Sequence, residues 1–113
     1  MDNLDERPRG RQFWRQGDIV VSQAESVDDE FVVGTLSLHS EGGHPHQMAT
    51  ALLQKSEVQR REDGTFDVRA QGAIVKLEEP TELAHPQHAT LLLQSGTYLI
   101  RYVGLPRRAR AVD

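Results

Sequence analysis

The sequence predicts an all-β fold, a small single-domain antiparallel barrel or sandwich, and three observations carry that prediction. Apolar residues recur in short runs or strict alternation, and turn residues interrupt them every several positions, which is the pattern of strands. Asp63-Gly64 stands between two alternating segments, where a tight hairpin needs a residue free to take positive backbone angles. The chain has 113 residues of which 37% are hydrophobic, enough for one modest core and too little for two.

The elements follow in chain order. Gly17-Asp18 turns the chain into a strand through Ile19, Val20 and Val21, an apolar run suited to burial on both faces. Past the break at Val27–Glu30, the stretch from Phe31 alternates, with Leu36 and Leu38 on the core side and His39 turned away from it. Ser40–Pro45 is a loop: Gly42 and Gly43 permit angles closed to other residues, and Pro45 cannot donate to a sheet ladder. Residues 46–55 fit a helical face (Met48, Ala51, Leu52, Lys55) and a strand face (His46, Met48, Thr50, Leu52). Strands on both sides and the lack of a helix cap favour the strand. Ser56–Ala70 is the hairpin, and Ile74–Leu77 is a strand ended by Pro80. A connection then leads to an apolar strand through Leu91–Leu93, a Ser95-Gly96 turn and an alternating strand over Thr97–Val103. Roughly eight strands result, with no repeat of solenoid length.

Composition narrows the chemistry. There is no cysteine, so disulfides, thiolate metal sites and cysteine nucleophiles are excluded, and His, Asp and Glu remain as the strong metal ligands. No apolar run is long enough for a signal-peptide core or a membrane helix, so a soluble cytoplasmic protein is expected. The net charge of −4 is unevenly placed: residues 1–15 and 101–113 hold eight of the thirteen Lys and Arg against four acids, a sum of +4, which leaves −8 on residues 16–100. The domain reading is a basic arm over 1–14, a β-barrel over 15–104 and a basic tail over 105–113. Together the two ends would offer an edge to nucleic acid or an acidic protein. The second functional reading follows from them: a non-catalytic accessory subunit that docks to a protein or nucleic-acid partner.

The leading reading comes from the histidines. In His44-Pro45-His46 an extended backbone projects both rings to one side, about 6.5–7 Å apart at their Cα atoms, so both can reach one ion at about 2.0–2.1 Å. His85-Pro86-Gln87-His88 can do so only across a bend, which Pro86 favours. These four of the five histidines fall in two clusters joined by a segment that folds back. The expectation is one divalent transition metal, zinc or iron, held by His44, His46, His85 and His88. Four ligands would close the shell; three would leave a position for hydrolytic or oxidative chemistry, with Glu41 as the nearest acid/base. Glu41, Gln47, Glu79 and Glu82 are the neighbouring candidates for a fourth or supporting ligand.

Two resemblances rest on these residues. Gly43-His44-Pro45-His46 after a strand, with later strands and a later His, resembles an abbreviated cupin, which implies a small barrel with a metal held by an H-x-H clip, a glutamate and a later histidine. No Glu follows closely on His46, and H-x-x-H stands in the second motif. The chain is also similar to a group of short, uncharacterised bacterial and phage proteins. The pieces that carry this are Arg15-Gln16-Gly17-Asp18 before an apolar strand, Gly43-His44-Pro45-His46, His85-Pro86-Gln87-His88-Ala89 and Gly96-Thr97-Tyr98. That resemblance implies no activity.

Overall fold

The computed structural model describes residues 12–39 and 43–103. Ten strands make one mixed sheet: β1 (Phe13–Gln16), β2 (Ile19–Gln23), β3 (Phe31–Leu38), β4 (His46–Gln54), β5 (Val58–Arg60), β6 (Phe66–Val68), β7 (Ala73–Leu77), β8 (Thr81–His85), β9 (His88–Leu93) and β10 (Gly96–Tyr102). No α-helix occurs among the described residues, and one 3-10 turn spans Lys55–Glu57. The fold is all-β, as the alternation requires.

The order β1-β2-β10-β7-β4-β3-β6-β5 runs through the sheet, and β8 and β9 branch from β4. The branch has a local cause. β4 pairs with β3 along one edge, while its other edge pairs with β8 at Gln47↔Ala84 and with β7 at Leu52↔Lys76. Between Gly34 and Leu36 the β3–β4 register shifts, and at this irregularity the Thr35 hydroxyl donates to the Ala49 carbonyl at 2.6 Å. The two halves of β4 can then serve different neighbours.

Followed through β1, β2, β10, β7, β4, β8 and β9, the strands lead back to β1, which β9 touches without pairing, so the sheet makes a ring that is not closed. Inside it lie Ile19, Val21, Leu36, Leu38, Met48, Leu53, Val75, Leu83, Leu93 and Ile100, all within 1% of full burial. The residues assigned to the core by parity, Leu36 and Leu38, are among them. Trp14 is half-buried against the same core, its ring 5.9 Å from that of Tyr98, whereas Phe13 is exposed.

Residues 46–54 are strand, and the hairpin around Asp63-Gly64 forms with β5 against β6. Gly64 takes φ +91°, and the Asp63 carboxylate accepts from both the amide and hydroxyl of Thr65. One expectation changes. Residues 81–85, read as part of a connection, are β8, with Leu83 and His85 inward and Glu82 and Ala84 outward. Flanking polar residues hid a period of two that tertiary burial reveals.

The β5–β6 hairpin is fastened to the ring by a polar knot. The single phenol hydrogen of Tyr102 is shared between Asp67 Oδ1 at 2.8 Å and the His39 carbonyl at 3.0 Å, while Arg61 pairs with Asp67 Oδ2. Tyr102 is 3% exposed and Asp67 9%. Tyr102→Phe should therefore cost about 1–3 kcal/mol, because it strips a buried carboxylate of a donor without opening space. Urea unfolding with an unchanged m-value would check this, and a loss under about 0.5 kcal/mol would contradict it.

Most of the basic arm and tail lies outside the described residues. The described chain begins at one end of β2, where Gln12 exchanges hydrogen bonds with Gln23, and ends at the other, where the Val103 amide donates to the Asp18 carbonyl.

Candidate functional site

Strand pairing brings the histidines together. Gln47 opposite Ala84 in an antiparallel ladder places His46 opposite His85, and His85 is paired with His88 across the two-residue turn Pro86-Gln87. His46, His85 and His88 thus form a row over β4, β8 and β9, with ring centroids 4.2 Å apart for His46 and His85, 4.7 Å for His85 and His88, and 5.9 Å for His46 and His88. His44 joins edge-on, 6.2 Å from His85. Both motifs read in the sequence meet at one end of the ring.

The β1–β2 turn closes the row from the other side. Gly17 takes φ +60°, and a Cβ built on it would stand 2.8 Å from His88 Nε2 and 3.2 Å from His46 Cε1. With the His88 ring in this position only a residue without a side chain fits that approach. The next residue, Asp18, sets its carboxylate 3.4 Å from His46 Nε2.

The four imidazoles have different hydrogen bonds. His46 is 1% exposed, and its Nδ1 lies 2.8 Å from Gln16 Oε1. Gln16 Nε2 donates to the carbonyls of Leu83 at 2.9 Å and Ala89 at 2.8 Å, so its oxygen is left to accept from His46. The proton of His46 therefore sits on Nδ1, and Nε2 carries a lone pair toward Asp18. Burial pushes the pKa of His46 down to about 4, and His85 and His88 push the same way against the opposing pull of Asp18. The ring is neutral at pH 7.

His85 is fully engaged: Nδ1 accepts from the Gln87 amide at 3.0 Å, and Nε2 donates to the His44 carbonyl at 3.0 Å. Neither nitrogen has a lone pair to give a metal while these bonds hold. His85 ties the turn at residues 86–87 to the backbone at His44. His44 and His88 are exposed.

The remaining candidates separate by parity. Gln47 follows His46 on β4 and so faces the opposite side of the sheet, where its amide reaches Ser37 Oγ and where Glu79 and Glu82 line an open groove with it. None of the three faces the imidazoles. Glu41, the acid/base candidate, lies outside the described residues. His39 bonds Ser37 Oγ through Nε2 at 3.0 Å, apart from the row. Sequence reasoning missed Gln16 and Asp18 as site residues, although both stand in the stretch Arg15-Gln16-Gly17-Asp18. Among the described residues, no three His, Cys, Asp or Glu side chains stand ready as a metal-holding group.

Fold and site together define an all-β protein whose nearly closed sheet carries a row of histidines at one end. The chain belongs to the family described as "Domain of unknown function (DUF8820)", whose model matches residues 15–103. No curated protein and no solved structure matches it. No helix among the described residues is long and apolar enough to cross a membrane.

Proposed function

We propose that the protein binds one divalent transition metal ion, zinc or iron, through His46 Nε2, the Asp18 carboxylate and His88, with one coordination position left open. The observation that supports this best is the state of His46, a buried imidazole whose Nδ1–H is held by a glutamine oxygen while its lone pair faces a carboxylate 3.4 Å away. Ligating histidines characteristically donate their second ring N–H to such an acceptor, which fixes tautomer and ring orientation. Two imidazoles and a carboxylate, without thiolate, suit zinc or non-haem iron.

Completing the set asks for side-chain rotation, not strand movement. The Asp18 side chain is 46% exposed and His88 is exposed, so both can turn onto an ion placed at His46 Nε2. This reading keeps His46 and His88 of the four histidines expected from the sequence and puts Asp18 in place of His44 and His85. An open position on such an ion supplies water activation, hence hydrolytic chemistry.

The test is a titration of untagged, chelator-treated protein with Zn2+ by calorimetry and with Co2+ by visible absorption. One equivalent should bind, and His46→Ala, His88→Ala and Asp18→Asn should each weaken binding by about ten-fold or more, with His46→Ala and His88→Ala non-additive when combined. Absence of a stoichiometric site, or a His46→Ala protein that binds as tightly as the parent, overturns the reading.

A further inference from the structure

The ring of strands opens at one seam, and its position follows from the pairing. Passing from β1 through β2, β10, β7, β4 and β8 to β9, every step is antiparallel, so the first and last of these seven strands run in the same direction. β9 is also irregular. Its register with β8 shifts between Leu83 and His85, so one more residue lies on β9 than on β8 across that interval. β1 and β9 touch without pairing. An irregular strand edge leaves backbone carbonyls that need donors.

Gln16 supplies them. Its carboxamide, on the last residue of β1, donates one hydrogen to the Leu83 carbonyl of β8 and the other to the Ala89 carbonyl of β9. At 2% exposure it is itself buried. The same group accepts the Nδ1 proton of His46 on β4. One side chain thus joins the two sides of the seam and dictates which nitrogen of a buried imidazole carries the proton.

We propose that Gln16 is a latch that couples closure of the β1–β9 seam to the availability of His46 Nε2. With the seam shut, the amide orientation is forced by two carbonyls, the proton stays on Nδ1 and Nε2 is free. With the seam open, nothing imposes that tautomer, and the free nitrogen is no longer assured. By reciprocity, a ligand that takes the Nε2 lone pair tightens the seam. Gln16 is accordingly a positioning residue that makes the histidine row responsive to anything that binds along β1 or β9. The ligand-dependent half of this inference rests on the metal reading; the tautomer and the seam do not.

Three measurements test it. In metal-free protein, long-range 1H–15N spectra of the imidazoles should show His46 as a single Nδ1–H tautomer. In Gln16→Met, which keeps volume and removes the amide, they should show a mixture of tautomers. Hydrogen exchange at the β1 and β9 amides should be at least about ten-fold faster in Gln16→Met, while the β5–β6 amides are unaltered. Added Zn2+ should slow the β1 and β9 amides in the parent and leave Gln16→Met unchanged. A His46 protonated on Nε2 in the parent overturns the latch without any variant. So does a Gln16→Met protein with the parent's tautomer and exchange rates. If the parent fails to bind Zn2+ and the first two results hold, the metal reading falls and the latch stands.

Discussion

Gly17→Ala should weaken Zn2+ binding by about a hundred-fold while costing the fold only about 1–2 kcal/mol. Gly17 holds φ +60°, a conformation in which an L residue is disfavoured by roughly 1–2 kcal/mol. The new methyl would also meet His88 Nε2 at 2.8 Å and His46 Cε1 at 3.2 Å, and these two contacts resolve differently. His88 is exposed at the start of β9 and can swing out at little cost. His46 is buried and fixed through Gln16, so it stays. The strain therefore leaves the backbone intact and displaces the ring nitrogen of one proposed ligand, and a hundred-fold loss of affinity corresponds to about 2.7 kcal/mol. Calorimetric Zn2+ titration beside thermal melting of the metal-free protein separates the two quantities. Unchanged affinity in a folded Gly17→Ala protein would show that His88 takes no part in binding.

That division between what bends and what holds also explains what could be read from the sequence. The strands were legible where alternation was unbroken, as at Phe31–Leu38, and where turn chemistry was explicit, as at Asp63-Gly64. The meeting of the two histidine motifs was legible because proline and glycine place both beside chain reversals. Their different roles were not, since they depend on register. Gln47↔Ala84 sets His46 against His85, and the backbone groups of His44 and Gln87 then consume both nitrogens of His85. Parity along β4 also sends Gln47 to the far face of the sheet, which spacing in the sequence alone did not apply to the glutamates of β8 and the turn before it. Gln16 was invisible for a further reason. Its role exists only because a ring of alternating strands ends with two that run the same way, which is a property of the whole topology.

The second large effect is on pH dependence of stability in the metal-free protein. His46 is held at about 4 in the fold against an ordinary value of 6.5, chiefly because its burial disfavours the charged ring. Between those values the unfolded chain binds a proton that the folded protein refuses, so stability rises with pH across this window and is lost as pH falls through it. The full shift sets a ceiling of about 3 kcal/mol on the loss, on the order of 10–20 °C in melting temperature for a domain of this size. The carboxyls of Asp29 and Asp63 do not blur the window. Asp29 is held below the usual carboxylate range chiefly by the Gln54 amide, then by the Glu30 amide and the Ser56 hydroxyl. Asp63 is held down by the hydroxyl and then the amide of Thr65. Their contribution goes only below their ordinary value of 3.8. Melting curves taken between pH 7.5 and 4.5 in the presence of chelator should show the slope in the parent and a much flatter line in His46→Gln, whose amide does not titrate. Equal slopes in the two proteins would mean that His46 is not the group that resists protonation. Saturating Zn2+ should steepen the parent's slope, because the ion also requires the imidazoles to be unprotonated, and should leave that of His46→Gln as it was.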